Sequence, residues 1–272
     1  MNYRHSFHAG NFADLVKHAL VLWLLKQRQA AGPVNVLDTH AGAGLYDLTG
    51  DATRSREAEA GVARLMATEA RPPLIEALAA EVAALNPGGG VRFYPGSPVL
   101  IARALRSVDH YVGFELREEV AGLLRDSLRA HSAARGEIGD GYELVRAEAK
   151  RARGSLVLID PPFERPDDYL RAAETAGAIV TADPEAMVAI WTPLKDLETF
   201  DGFLRRLETA TSSPTLVAEA RLRPLTDPMK MNGCAIVVVN PPEGADAAAT
   251  EICGWVAGNL GDVGARAEVW RT

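Results

Sequence analysis

Val34-Asn35-Val36-Leu37-Asp38-Thr39-His40-Ala41-Gly42-Ala43-Gly44 decides the fold class of this chain. A short apolar run ends in an acid and passes directly into a turn with two glycines, the order of a strand and its nucleotide-facing turn in an α/β unit. Upstream, the spacing predicts a helix from Asn11 to Gln29. Asn11 can cap it, Asp14 follows three residues later, and Leu15, Ala19, Leu22 and Leu25 recur at helical intervals. The AAGP at 30–33 stops that helix. Downstream, Arg54 to Asn86 is rich in Ala and Glu. Two helical patterns, Glu57 to Met66 and Leu74 to Leu85, are broken by RPP and closed by NPGGG, which predicts an inserted helical hairpin.

Beyond the insertion, strand and helix patterns alternate. VRFYP is a short strand and turn, and Ser97-Pro98 opens a helix with Ser97 as its cap. Strands follow at His110 to Leu116, Glu137 to Gly141, Ser155 to Ile159, Ala186 to Trp191, Thr215 to Arg221 and Ala235 to Asn240. Helices are predicted at Glu118 to Ser132, Tyr142 to Ala152 and Leu194 to Glu208. Such alternation implies a mostly parallel sheet covered on both faces. The chain divides into residues 1–50, which begin the core, an inserted helical subdomain at 51–91, and the rest of the core at 92–272.

At 272 residues, 47% hydrophobic and 24% charged, the chain suits one large α/β domain and excludes a disordered or fibrous one. The 29 basic and 36 acidic residues give a net charge of −7, which argues against sequence-independent coating of nucleic acid or an anionic membrane. The apolar run Ala19 to Leu25 falls far short of the roughly 18 residues that cross a bilayer, and no signal-peptide order opens the chain, so a cytoplasmic protein is expected. Cys234 and Cys253 have no CxxC spacing and read as buried thiols.

In a doubly wound sheet, ligands sit beyond the carboxyl ends of the strands. Four predicted strand ends carry polar or glycine-rich signals: Asp38 with Gly42 and Gly44, Glu115, Asp140-Gly141, and Asp160-Pro161-Pro162-Phe163. Glu115 suits two ribose hydroxyls, and Asp140 suits an adenine amino group. A nicotinamide dinucleotide would want its ribose acid about 20 residues after the glycines. Only Glu57 and Glu59 lie there, and they read as solvated helix faces. In DPPF, two prolines end the ladder and fix a rigid turn, leaving the Asp160 carboxylate and the Pro161 carbonyl as neighbouring acceptors for one amino group. Phe163 offers a face on which a base can stack.

DPPF matches the (D/N/S)PP(Y/F/W) signature of S-adenosylmethionine-dependent amino-group methyltransferases. Tyr3-Arg4-His5-Ser6-Phe7-His8-Ala9-Gly10-Asn11 with Asp14, Lys17 and His18, the stretch Leu37 to Gly44, and Tyr94-Pro95-Gly96-Ser97-Pro98 add more specific motifs. With them the whole chain closely resembles the bacterial ribosomal large-subunit RNA methyltransferase J family, which methylates N6 of one adenine in 23S rRNA. The resemblance implies a Rossmann-like class I methyltransferase sheet with a small inserted helical subdomain. It implies S-adenosylmethionine as cofactor, held by Lys17, His18, His40, Ser97, Glu115, Asp140, Gly141 and Asp160. Asp160 is then the catalytic acceptor, while Tyr3, Pro161 and Phe163 meet the substrate. It also implies a monomer acting on protein-free or early-assembly 23S rRNA. Many members carry Tyr where this chain has Phe163, which keeps the stacking face and loses the hydroxyl.

His5 and His8 are three apart, but no set of Cys or acid residues with zinc spacing accompanies them, so no metal is expected. Arg4, His5, His8, Lys17, Arg54, Arg56, Arg221, Arg223 and Lys230 are candidates either for a basic rim or for scattered solvated charges. A DNA adenine-N6 methyltransferase is the alternative within enzymes, since DPPF does not distinguish the two nucleic acids. A non-catalytic rRNA-binding assembly factor is the alternative outside them.

Overall fold

Val36 and Leu37 are both buried, on opposite faces of strand β1 (Asn35–Asp38), and burial on two sides places this strand inside a covered sheet. The computed structural model describes residues 8–49, 56–226 and 231–272. Ahead of β1 runs α1 (Phe12–Ala31), capped as its sequence predicts: the Asn11 side chain accepts from the Asp14 amide at 3.0 Å, and the Asp14 carboxylate accepts from the Gly10 amide at 2.9 Å. After β1 come β2 (Leu45–Asp47), a π-helical turn (Glu59–Ala63) leading into α2 (Arg64–Ala67), and α3 (Pro73–Leu85). Val62, Leu65, Ile75, Leu78 and Val82 of this insertion join α1 in one apolar core. The π turn also docks on the N-terminal loop. The Val62 amide donates to the Gly10 carbonyl at 2.8 Å, and a Cβ on Gly61 would stand 2.2 Å from that oxygen.

The alternating part continues as β3 (Phe93–Pro95), α4 (Ser97–Ala104), β4 (His110–Glu115), α5 (Glu118–Leu128), β5 (Ala134–Ile138), α6 (Gly141–Ala149) and β6 (Leu156–Ile159). It ends with α7 (Asp168–Ala182), β7 (Met187–Leu194), α8 (Leu197–Ala210), β8 (Thr215–Arg221), β9 (Gly233–Val239), α9 (Ala245–Leu260) and β10 (Arg266–Arg271). Among the described residues, eight strands form one sheet in the order β10-β8-β9-β7-β6-β1-β4-β5. From β5 through β7 all neighbours are parallel, whereas β9 runs antiparallel to both β7 and β8. The chain leaves β1 toward β4 and β5, then returns to lay β6 on the other side of β1. That reversal is the switch point at which a doubly wound sheet opens a crevice; Asp38 ends β1 and Asp160 follows β6, the two strands that flank it.

Several boundaries and elements differ from the sequence expectation. Strand β5 covers Ala134–Ile138 rather than Glu137–Gly141, because its ARGEI sequence has no apolar alternation and its place is set by pairing with β4 and by Gly136 lying against Leu124. Helix α5 stops at Leu128, four residues short of its predicted end. Ser97 is not the cap of α4. Gly96 occupies that position, and the Ser97 hydroxyl is spent on Asp38 instead. Helices α7 and α9 and strand β10 have no counterpart in the sequence reading. In α7 the buried face is mostly small, Ala172, Ala173, Ala176 and Gly177, with Ile179 and Val180 only in its last turns, so it gives little hydrophobic contrast; Gly177 lies against Ala210 of α8. Strand β10 is a charged edge, RAEVWR, whose pairing with β8 is decided by tertiary context.

Candidate active site

Asp38, at the end of β1, is fully buried and accepts from the Ser97 hydroxyl (3.0 Å), the Tyr111 hydroxyl (3.1 Å) and the His40 amide (3.2 Å). Burial, and after it the nearby Asp160 carboxylate, push its pKa up to about 6. On the adjacent strand end, Asp160 is 19% exposed, and its Oδ2 accepts from the Lys17 ammonium at 2.6 Å. The same ammonium stands 2.9 Å from Asp14 Oδ1. Burial works against the charge on Lys17, but the Asp14 and Asp160 carboxylates outweigh it and hold its pKa well above the ordinary lysine value. No donor among the described residues bonds Asp160 Oδ1, so that oxygen is available to a ligand.

The neighbouring strand ends form a second group. Glu115 closes β4 and accepts from the Gly42 amide at 2.7 Å, and burial raises its pKa. Gly42 and Gly44 both have positive φ, +68° and +84°, so the turn after β1 needs them. Asp140 caps α6, with Oδ1 accepting from the Tyr142 amide at 3.1 Å. Its other oxygen takes the Arg171 guanidinium at 2.6 Å, a charge that also lies 4.4 Å over the Tyr142 ring. A Cβ on Gly141 would stand 1.8 Å from the Thr39 carbonyl, so only glycine lets α6 start against the β1 turn. His40 meets Tyr142 edge-on at 4.8 Å, and its Nδ1 lies 2.7 Å from the Thr39 hydroxyl.

Arg171 is the polar residue that the sequence reading missed. It lies on α7, and an apolar repeat strong enough to reveal that helix would have exposed it. His18 is 1% exposed, with Nδ1 at 2.7 Å from the Tyr94 hydroxyl and Nε2 at 3.9 Å from Asp14 Oδ1, the carboxylate that also meets Lys17. Phe163 has φ +50°, is 8% exposed, and packs on Tyr169 at 4.4 Å and Trp191 at 5.9 Å. Tyr3, Arg4, His5, Arg54 and Lys230 lie outside the described residues. The described members of the basic rim are all engaged: His8 with Glu57 (2.8 Å), Lys17 as above, Arg56 with Glu59 (3.2 Å), Arg223 with Asp262 (3.1 Å), and Arg221, buried, with Glu219.

The sequence profile described as "Ribosomal RNA large subunit methyltransferase D, RlmJ" matches residues 31–272. The chain belongs to the RlmJ family. It is 32% identical over 265 residues to the Ribosomal RNA large subunit methyltransferase J of Escherichia coli (strain K12), covering 96% of this chain and 94% of that one. The enzyme of the same name from Haemophilus influenzae is 31% identical over 246 residues, with 89% and 88% covered. Among solved structures, a Legionella pneumophila protein superposes with a TM-score of 0.86 at 25% identity, over 97% of this chain and 98% of that one. The RlmJ sheet is thus a Rossmann-like class I methyltransferase fold, and among its described residues no helix is long and apolar enough to cross a membrane.

The two central groups give this RlmJ member a pH signature. Burial, aided by Arg171 and opposed by Asp160 and Asp140, lowers the His40 pKa from 6.5 to about 4. Between those values the unfolded chain binds the extra proton, so His40 makes stability rise with pH. Asp38 acts in the opposite sense: the folded state binds the extra proton between 3.8 and about 6, so stability falls as pH rises. His40→Gln removes the first slope and leaves the second. Its urea midpoint should gain on the parental one as pH falls from 6.5 to 4; parallel midpoints across that range would contradict the burial assigned to His40.

Proposed function

We propose that the protein transfers a methyl group from S-adenosylmethionine to the exocyclic N6 of a single adenine in 23S rRNA, acting as a monomer in the cytoplasm. The observation that carries this reading is the Asp160 carboxylate, fixed through one oxygen by Lys17 at the sheet's switch point and open at the other, directly before two prolines. Family membership supports the rRNA substrate.

The strand ends fit the nucleoside part of the donor. Glu115 and Asp140 supply carboxylates for the ribose hydroxyls and the adenine amino group, and the exposed apolar Leu116 (65%) and Ile138 (46%) stand beside them as walls for a flat ring. His40, Ser97 and Gly141 line the path between the two groups, with Lys17 and Asp160 at the transfer end and His18 packed behind through Tyr94. The donor supplies an electrophilic methyl group. The protein's part is positioning: Asp160 Oδ1 and the Pro161 carbonyl accept the two N6 hydrogens, which draws the nitrogen lone pair out of ring conjugation and aims it. The base must leave its stack to reach them.

Mapping N6-methyladenine in rRNA from a deletion strain and its complemented parent tests the reading. One modified adenine should vanish and return with the parental gene. An unchanged map, with methylation of duplex DNA by the purified protein, would move the substrate to DNA.

A further inference from the structure

Arg171 occupies the first turn of α7, in the same turn as Asp168, where a helix N-terminus favours acids over cations. What offsets that local cost lies on another helix. The guanidinium donates to Asp140 Oδ2 at 2.6 Å and stands 4.4 Å over the Tyr142 ring, so both of its partners belong to the start of α6. The arginine side chain is 23% exposed and the aspartate 30%, and Asp140 follows β5, so the pair sits at the accessible carboxyl end of the sheet rather than in the core.

The two oxygens of Asp140 have separate duties. Oδ1 accepts from the Tyr142 amide at 3.1 Å and caps α6, which leaves Oδ2 as the outward oxygen, held by Arg171. A carboxylate oxygen can accept more than once, so Oδ2 keeps capacity for a further donor. Burial by itself would raise the Asp140 pKa; the Arg171 hydrogen bond and charge overturn that and hold the carboxyl below its ordinary value. A second contact joins the same elements: the Tyr142 hydroxyl donates to the Asp168 carbonyl at 3.4 Å. The helix that follows the DPPF turn is thereby tied to the strand end that carries Asp140.

We propose that Arg171 is a positioning residue for the methyl donor: from α7 it fixes the Asp140 carboxylate in the orientation that receives the donor's adenine amino group. The inference rests on the reading above, in which Asp140 takes that amino group. Arg171 then acts on how tightly the donor is held. The transfer end is held by separate contacts, Lys17 with Asp14 and Asp160, so a donor bound without Arg171 is bound weakly and still reacts once the site is filled.

The test compares Arg171→Met, Arg171→Lys, Asp140→Ala and the double variant Asp140→Ala/Arg171→Met with the parental protein, using S-adenosylhomocysteine for calorimetry and in vitro transcribed 23S rRNA for steady-state kinetics. A thermal melt verifies folding of each variant. Methionine keeps an apolar stem over Tyr142 and removes the charge and its donors. Arg171→Met should weaken S-adenosylhomocysteine binding by about 10-fold, the lower range for losing a hydrogen bond between charged groups, and raise KM for S-adenosylmethionine in step. Its kcat at saturating donor should stay within about 3-fold of the parent, the pattern of lost uniform binding. Arg171→Lys should recover part of the affinity, and Arg171→Met should cost little further in the Asp140→Ala background. Parental affinity in Arg171→Met would overturn the proposal, as would a full 10-fold loss added to Asp140→Ala or a kcat that falls while KM holds. Parental protein that binds no S-adenosylhomocysteine would instead overturn the reading beneath it.

Discussion

Asp160→Ala protein, purified and folded, is expected to label 23S rRNA from methyl-tritiated S-adenosylmethionine about 10³-fold more slowly than the parent, the upper range for deleting one preorganised polar contact to a reacting group. The expectation follows from how Asp160 is held. Lys17 takes Oδ2 at 2.6 Å, and the prolines at 161 and 162 prevent the strand from continuing, so the carboxylate is presented in one orientation at the crevice. In the proposed reaction alanine removes the acceptor for one N6 hydrogen and leaves the Pro161 carbonyl alone. Asp160→Asn keeps the shape and one acceptor oxygen but loses the charge that pairs with Lys17, so it should lie between the Ala variant and the parent. Labelling by Asp160→Ala at the parental rate would show that the acceptor is elsewhere.

Lys17→Met should be the most destabilising single change at the site. The lysine neutralises Asp14 and Asp160 at 2.9 and 2.6 Å, with the buried Asp38 close to Asp160. Its removal leaves an uncompensated anion in the protein, a loss of about 3–5 kcal/mol and a thermal midpoint on the order of 10 °C lower. Lys17→Arg, which keeps the charge, should retain most of the stability. A Met variant with the parental midpoint at pH 7 would show that the Lys17 contacts to Asp14 and Asp160 do not stabilise the fold.

The charge balance also acquires a narrower meaning from the fold. The chain carries −7 overall, and the described candidates for a basic rim are already committed to partners such as Glu57, Glu59, Glu219 and Asp262. Under the proposed function a modest salt dependence of RNA binding is expected.

Much of this arrangement is legible in the sequence because it is local. The Asn11 cap, the strand-to-glycine turn at 34–44 and the prolines after Asp160 are set by neighbours in the chain, and each is where its residues predict. Alternating apolar runs likewise establish a mostly parallel sheet, since only a strand covered on both faces repays continuous burial. Tertiary structure decided what depends on residues far apart: the antiparallel β9 between β7 and β8, the alanine-lined α7, and the charged edge strand β10. It also decided the partners. The pairs Lys17–Asp160 and Asp140–Arg171, 143 and 31 positions apart in the chain, carry no sequence signal of contact. The packing of Phe163 on Tyr169 and Trp191 has the same cause. Sequence determines which side chains exist near a strand end, whereas only packing against the next strand and helix determines which of them keeps a free face.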